Sequence, residues 1–231
     1  MIGFIFANKN EILISEKNIV IKGIKKHGSI VIAIGKIFGV DGVLACSGVG
    51  KVNAAITSQL LITEYKVKIL INIGYAATIV DYISRGDIVL STSCIQHDFD
   101  ATAFGYSYGQ IPCFATAVIE SSIKETILRD IIEPNVKVGI VLSGDVFINN
   151  AREFTVLKRK FNGQCVDMEG AAVAHCASVN NVPYILVKCI SDSADYGAVS
   201  DYQDFNVKID KVLKKLVNVV CAQHLNLSQK I

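Results

Sequence analysis

The sequence lacks an apolar run long enough to span a membrane, which takes about 18 to 20 residues. Lys36 and Asp41 interrupt the longest candidate, and the apolar segment 69–80 is too short. The first eleven residues carry no basic stretch ahead of an apolar one, so we expect no signal peptide. These absences predict a soluble, cytoplasmic protein with no membrane partner.

Cysteine pairs are also lacking. The seven cysteines are an odd number, and none belongs to a Cys-x-x-Cys pair. Small core thiols of this kind are typical of proteins from a reduced compartment. Those with apolar sequence neighbours are Cys46, Cys94, Cys165, Cys176 and Cys189.

The sequence also lacks a large excess of positive or negative charge. The chain has 23 Lys and Arg against 21 Asp and Glu, a net charge of +2. The densest lysine cluster, within residues 208–215, alternates with apolar residues at helical spacing, so it predicts the solvated face of an amphipathic helix. We therefore expect no nucleic-acid partner.

Apolar residues, by contrast, are abundant. The 231 residues are 51% hydrophobic with a mean hydropathy of +0.42, enough to bury a core without disulfides or metal. No linker, repeat or low-complexity segment divides the chain, so we expect one domain over residues 1–231.

Strand-like and helix-like patterns alternate along the chain. Near-continuous apolar runs predict buried strands at Ile2–Phe6, Val43–Cys46, Ile69–Ile73, Ile88–Leu90, Val138–Leu142 and Tyr184–Ile190. Helical periodicity predicts helices at Val52–Tyr65, Ile119–Ile131, Glu169–Val179 and Gln203–Gln223, and Ser29–Val40 resembles an antiparallel arm. The fold class is therefore α/β, three-layered, with a mixed central β-sheet flanked by helices.

Most of the apolar runs end in small or polar residues. In open α/β sheets ligands bind outside the carboxyl ends of the strands, so parallel strands would bring these residues to one edge. The clusters are Ala7-Asn8, Ser47-Gly48-Val49-Gly50, Gly74-Tyr75-Ala76-Ala77, Ser143-Gly144-Asp145 and Ser191-Asp192.

The glycine-containing turn at residues 47–51 follows a strand and opens a helix. It lacks the first glycine of a Walker A loop, and Asn53 occupies the place of the third glycine of a dinucleotide fingerprint. A tight turn and a ligand-binding loop remain equal interpretations.

Three carboxylates have apolar or small neighbours: Glu11, Glu169 and Asp192. Each alone is typical of a helix cap or a buried anchor, but three at one sheet edge favour acid–base chemistry. His97, Asp98 and Asp100 lie close together in the sequence, but no second His or Cys pair is nearby. We therefore expect a hydrogen-bonded structural cluster there, and neither a metal nor a cofactor.

Read together, these segments resemble the methylthioadenosine/S-adenosylhomocysteine nucleosidases of the nucleoside phosphorylase superfamily. The resemblance covers nearly the whole chain and rests on five strings in the same order. They are 47–52, 102–106 with Gly109-Gln110, Ser143-Gly144-Asp145 with Phe147-Ile148-Asn149, Met168-Glu169, and Ile190-Ser191-Asp192 with Ala194-Asp195.

The resemblance implies a nucleoside phosphorylase-like fold and cleavage of the N-glycosidic bond of 5′-thioadenosines in methionine salvage. It implies that Asp192 protonates adenine N7 with Ser191 orienting it, and that Glu11 is the general base for water. It implies that Glu169, with the Met168 backbone, holds the ribose hydroxyls and stabilises the cationic sugar.

The resemblance also implies how the rest of the substrate is bound. Phe147 stacks on adenine, the Ile148 backbone reads its edge, and Ala76 and Lys188 are further binding positions. The alkylthio pocket is implied to include Val49, Phe104, Tyr106, Pro112 and Tyr202. Because part of the aromatic loop comes from the neighbouring subunit in the family, a homodimer follows.

Three positions depart from the family pattern, all on the water and ribose side. Tyr75-Ala76-Ala77-Thr78 stands for Ser-Ala-Gly-Gly, Lys188 replaces an arginine that helps to fix water, and Asn8 replaces an apolar residue. Lysine keeps the charge of arginine but loses its planar fork.

Three alternatives stay open. Phosphorolysis is disfavoured, because the chain has four arginines, none of which ends a predicted core strand beside the glycines, and Tyr75 occupies the would-be phosphate nest. A futalosine-type hydrolase would share the chemistry with a different 5′ substituent. A non-catalytic nucleoside-binding protein would keep the fold without turnover.

Overall fold

The computed structural model describes residues 1–12, 18–123, 125–128, 131, 133–193 and 209–222. Ten strands are described: β1 (Ile2–Phe6), β2 (Ile19–His27), β3 (Ile30–Ile37), β4 (Val40–Cys46), β5 (Leu70–Thr78), β6 (Ile88–Gln96), β7 (Ile119–Glu120), β8 (Val136–Ser143), β9 (Cys165–Asp167) and β10 (Tyr184–Asp192). The α-helices in these ranges are α1 (Lys9–Ile12), α2 (Lys51–Tyr65), α3 (Glu125–Leu128), α4 (Ala151–Lys160), α5 (Gly170–Val179) and α6 (Asp210–Val220).

The strands form one mixed sheet. Strands β4, β1, β5 and β10 are parallel neighbours, and β3 and β2 extend this sheet as an antiparallel arm. On the other side, β6 pairs antiparallel with β10, and β8 and β9 run parallel to β6. Strand β9 also pairs with β5, so β5, β10, β6, β8 and β9 close into a ring.

The core lies on both faces of the sheet. One apolar cluster joins β1, β5 and β10 to α6 through Val212, Leu213 and Leu216. A second cluster joins the opposite face to α2 and α5 through Leu61 and Val173. The predicted mixed sheet with flanking helices is therefore confirmed.

The helix predicted at Ile119–Ile131 is wrong. Ile119 and Glu120 form β7, which pairs with Ser93 and Cys94 of β6, and the described helix α3 covers only Glu125–Leu128. The buried apolar residues of this segment fit helical spacing, but pairing with β6 determines the conformation of Ile119 and Glu120.

The C-terminal helix begins later than the sequence indicates. Of the predicted range 203–223, residues 209–222 are described, and α6 begins at Asp210. Lys211 is well exposed and pairs with Glu133, as expected for a solvated face.

No helix in the described ranges is both long enough and apolar enough to cross a membrane.

Candidate active site

A cavity of about 230 Å³ lies at the carboxyl ends of β1, β4, β5, β8, β9 and β10. Strands β8 and β9 run antiparallel to β5. Their carboxyl ends nevertheless reach the cavity, because the closed ring of strands places β9 beside the last residues of β5 and β8 beside β9. The cavity is lined by Ala7, Glu11, Val49, Tyr75, Ala76, Ala77, Val146, Phe147, Ile148, Val166, Asp167, Met168, Glu169, Ser191 and Asp192.

The cavity brings together most of the residues expected from the sequence. The three carboxylates are present, with six of the expected binding positions: Val49, Ala76, Phe147, Ile148, Met168 and Ser191.

The remaining expected positions lie elsewhere. Phe104 is 85% exposed, and Tyr106 and Pro112 also lie on the loop after β6, away from this cavity. Lys188 is buried behind the cavity wall, and Tyr202 lies outside the described residues.

Backbone amides hold the Glu11 carboxylate. Its Oε2 accepts hydrogen bonds from the amides of Ala7, at 2.7 Å, and Asn8, at 3.2 Å. Its Oε1 accepts one from the amide of Tyr75 at 3.2 Å, and Gly74 leaves room for it, since a Cβ there would lie 3.1 Å from Oε1. Burial raises the pKa of Glu11, and the Lys188 charge and these amides partly offset that rise.

The glycine turn after β4 binds Glu169. The amide of Gly50 donates to Glu169 Oε1 at 2.8 Å, and Gly50 has a φ of 97°, which favours glycine. The amide of Gly50 therefore binds a side-chain carboxylate of the protein. Burial, reinforced by the charge of Asp167, raises the pKa of Glu169 to about 8.

Asp192 ends β10 and is 3% exposed. The hydroxyl of Ser191 donates to Asp192 Oδ2 at 2.7 Å, which orients the carboxyl group at the cavity. Aromatic and apolar side chains of Phe147 and Ile148 line the same cavity. The carboxyl group of Asp192 and the ring of Phe147 therefore line the same cavity.

A buried ion pair supports the wall behind the carboxylates. Lys188 Nζ lies 2.5 Å from Asp167 Oδ2 and donates to Asn72 Oδ1 at 2.6 Å. Asp167 also accepts from the hydroxyl of Ser143 and from the amide of Gly170. Burial opposes the charge on Lys188, but Asp167 and Glu169 outweigh it and raise the lysine pKa.

Asp167 lines the cavity although it was not predicted to belong to the site. The visible signal was its place two residues before Glu169 at the end of a short apolar strand. Lys188 was expected near the nucleophilic water; in the structure its ammonium group contacts Asp167 and Asn72.

A surface network fixes the loop that carries Phe147. Asp145 Oδ1 accepts from the amide of Lys51 at 2.7 Å, and the amide of Asp145 donates to Asp98 Oδ2 at 2.9 Å. Asp98 also pairs with Lys51 Nζ at 2.6 Å. Asp98 is thus hydrogen-bonded as expected, whereas Nε2 of His97 has no partner within the described ranges.

Over the described part of the chain, no three His, Cys, Asp or Glu side chains lie together in a way that would hold a metal ion.

Comparison with known proteins gives the family. The model of the phosphorylase superfamily matches residues 2–222. The 5′-methylthioadenosine/S-adenosylhomocysteine nucleosidase of Buchnera aphidicola subsp. Baizongia pistaciae is 38% identical over 208 residues, covering 88% of this chain and 82% of that protein. This chain belongs to the 5′-methylthioadenosine/S-adenosylhomocysteine nucleosidases of the phosphorylase superfamily.

Solved structures agree with membership of this nucleosidase family. The S-adenosylhomocysteine nucleosidase of Streptococcus pyogenes, in complex with 5-methylthiotubericidin, superposes with a TM-score of 0.87 at 28% identity, covering 96% of both chains. The futalosine hydrolase of Helicobacter pylori is also similar, with a TM-score of 0.85 at 28% identity, covering 96% of this chain and 97% of that one.

Proposed function

We propose that this protein hydrolyses the N-glycosidic bond of 5′-methylthioadenosine and S-adenosylhomocysteine, releasing adenine and the 5-thioribose product. The observation that carries the proposal is the convergence of Glu11, Glu169 and Asp192 on one cavity with Phe147. The relatives named for this activity support the substrate class.

Asp192 is the general acid in this proposal. Protonation of adenine N7 makes the base a better leaving group, and the hydrogen bond from Ser191 orients the carboxyl group towards it. Phe147 stacks on the adenine ring, and the backbone of Ile148 binds the edge of the ring.

Glu169 and Glu11 act on the sugar and the water. Glu169 holds the ribose hydroxyls together with the Met168 backbone. Burial raises its pKa to about 8, and the positive charge that develops on the sugar favours its ionised form, which stabilises the oxocarbenium-like transition state. Glu11 is the general base that takes a proton from the attacking water, and a pKa raised by burial suits that task.

Hydrolysis is favoured over phosphorolysis by the charges at the site. None of the described residues that line the cavity is Lys or Arg, whereas Glu11, Asp167, Glu169 and Asp192 are all acidic. The amide of Gly50, which a phosphate nest would need, already donates to Glu169. A phosphate dianion would therefore meet four carboxyl groups and no Lys or Arg among the described residues that line the cavity.

A futalosine-type hydrolase is the second candidate, because the Helicobacter pylori enzyme superposes nearly as well. Both activities cleave the bond between a purine base and ribose, and their substrates differ in the 5′ substituent. Competition between methylthioadenosine and a futalosine-type nucleoside distinguishes them, because the true substrate has the larger kcat/KM.

We also propose that the protein is a cytoplasmic homodimer that acts in methionine salvage. Val49, Val52 and Ile56 are exposed on and beside α2, and Phe104 is exposed on the loop after β6. Val52 and Ile56 lie one turn apart on the same face of α2, and exposed apolar patches favour an interface. In the dimer, Phe104, Tyr106 and Pro112 of one subunit complete the 5′ pocket of the other.

The variant Asp192→Asn tests the general-acid role. Adenine release from methylthioadenosine is expected to fall by about 10²- to 10⁴-fold, the usual contribution of a positioned acid. The thermal unfolding midpoint controls for folding, and Asp81→Asn is the matched control, since Asp81 is an exposed carboxylate outside the cavity. Full activity of Asp192→Asn would refute the assignment.

A further inference from the structure

Asn8, just after β1, forms a reciprocal cap with Glu11. Its side-chain Oδ1 accepts hydrogen bonds from the amides of Asn10, at 2.9 Å, and Glu11, at 3.2 Å. In return, the Asn8 amide donates to Glu11 Oε2 at 3.2 Å. In such a capping box, the residue before the first helical turn and the acid three positions later bind each other's amides. The cap therefore ties the start of α1 to the carboxylate of the proposed general base.

The sequence itself carries the signal for this cap. Asparagine followed three residues later by glutamate is typical of a helix start, and α1 begins at Lys9, directly after Asn8. Asn8 also departs from the family pattern, which has an apolar residue there. An apolar side chain could not accept these two hydrogen bonds, so the reciprocal cap is a property of this chain.

The hydrogen bonds to Glu11 make its two oxygens unequal. Oε2 accepts from two amides, those of Ala7 at 2.7 Å and Asn8 at 3.2 Å. Among the described residues, Oε1 accepts from one amide, that of Tyr75 at 3.2 Å. Because a carboxylate oxygen has two lone pairs, Oε2 is fully occupied and Oε1 keeps one lone pair. Glu11 lines the cavity, so Oε1 is the oxygen that can take a proton from water.

We infer that Asn8 is a positioning residue for the proposed reaction, because its cap anchors Glu11 through Oε2 and leaves Oε1 to accept the proton of the attacking water. The inference rests on the proposed function. As water attacks C1′ of the ribose, one O–H bond breaks, its proton moves to Glu11 Oε1, and its electron pair stays on the oxygen that bonds to C1′. The electron pair of the C1′–N9 bond leaves with adenine, which Asp192 protonates.

Other groups also influence the ionisation of Glu11. Burial raises its pKa, and the Lys188 ammonium on β10 partly offsets that rise. The charge of Glu11 in turn raises the pKa of Glu169, just before α5, and that of Cys189 on β10. These groups are the same in every Asn8 variant. A change in Glu11 ionisation between such variants therefore reports the side chain at position 8.

Turnover of methylthioadenosine tests the positioning. Asn8→Ala removes both acceptor bonds, and we expect kcat to fall by about three- to tenfold, the rate equivalent of a lost N-cap side chain. KM is expected to stay within about twofold of the native value, because Asn8 acts through Glu11 and not on the nucleoside. Asn8→Ser keeps a hydroxyl oxygen at the cap and is expected to restore kcat to within about twofold of native.

A second measurement needs no turnover. Asn8→Asp keeps the cap and adds a negative charge beside Glu11, which is expected to raise the Glu11 pKa by about half a unit or more. The titration is followed by ¹³C NMR of the labelled carboxyl group and is assigned with Glu11→Gln. Asn150→Asp is the matched control, since Asn150 caps α4 with Glu153 outside the cavity, and it is expected to leave the Glu11 titration unchanged.

Native kcat in a folded Asn8→Ala variant would overturn the inference, because Asn8 would then only cap the helix. A loss of kcat that Asn8→Ser does not recover, or a Glu11 titration unmoved by Asn8→Asp, would equally overturn it. These results in a protein that releases adenine leave the proposed function standing. A native protein that releases no adenine would instead refute the proposed function, and the catalytic task of Asn8 with it.

Discussion

At the scale of single residues, the three carboxylates of the cavity differ in the hydrogen-bond donors that hold them. Glu11 is surrounded by three amide donors, Glu169 by one, and Asp192 is oriented by the hydroxyl of Ser191. The identity of the three acids could be predicted from the sequence, because each follows an apolar strand. The long-range donors could not, because the amides of Gly50 and Tyr75 are 119 and 64 positions away from the carboxylates that they bind.

The role of Glu11 can be separated from folding and binding. Glu11→Gln keeps a group of the same size beside the amides of Ala7 and Tyr75 but cannot accept the proton of water. We expect turnover to fall by about 10²-fold or more while adenine still binds, measured by isothermal titration. Loss of adenine binding would mean that Glu11 is structural.

Lys188 is expected to matter first for stability. Lys188→Met leaves the Asp167 carboxylate buried without its counter-charge, which costs about 3–5 kcal/mol in the free energy of unfolding. The double variant Lys188→Met/Asp167→Asn removes both charges and is expected to recover part of this loss. Urea unfolding measures both, and a single variant as stable as the native protein would contradict the ion pair.

At the scale of elements, pairing with a neighbouring strand can override the secondary structure that the local sequence pattern predicts. The segment after Ile119 has helical spacing, yet its first residues pair with β6 as a strand.

Helix α4 was not predicted, although its capping signal is visible. Asn150 accepts from the amide of Glu153 at 3.0 Å and donates to its carboxylate at 2.8 Å, a reciprocal cap of the N-terminus.

Five of the six strands that carry the site, β1, β4, β5, β8 and β10, were predicted because they are largely buried and therefore almost continuously apolar. The three-residue strand β9 was not predicted. The ring formed by β5, β10, β6, β8 and β9 was not predicted either, because the pairing of β9 with β5 joins residues about 90 positions apart and leaves no local pattern.

The turn between β4 and α2 can be tested with a matched pair of glycines. Gly50 and Gly86 have φ values of 97° and 95°, so alanine at either site costs about 1–2 kcal/mol of stability. A Cβ at Gly50 would also lie 3.1 Å from Asp145 Oδ1, whereas Gly86 faces open space. Only Gly50→Ala is expected to lower kcat/KM for methylthioadenosine.

Equal activity of the two alanine variants, at equal losses of unfolding free energy, would contradict a role for the Gly50 turn in holding Glu169.

At the scale of the whole molecule, Val49 is the one position of the expected alkylthio pocket among the described residues that line the cavity. The aromatic residues expected there lie on an exposed loop, and Tyr202 lies outside the described residues. The homodimer proposal supplies the missing wall from a second copy, which explains how an exposed Phe104 can serve an active site.

The dimer predicts that a charge on α2 lowers activity without touching the cavity. Ile56→Glu on the exposed face of α2 is expected to give monomers in sedimentation velocity and a higher KM for methylthioadenosine. Val20→Glu on β2 is the matched control, because Val20 is also an exposed apolar residue but lies on the far edge of the sheet. A dimeric, fully active Ile56→Glu variant would place the interface elsewhere.

The most direct test of the proposed function is adenine release from methylthioadenosine, measured with and without inorganic phosphate under otherwise identical conditions. The acidic cavity and the engaged Gly50 amide predict release at the same rate in both, with methylthioribose as the second product. Release that requires phosphate and yields the sugar 1-phosphate would contradict hydrolysis, and binding of the nucleoside without release would contradict the catalytic roles of Glu11 and Asp192.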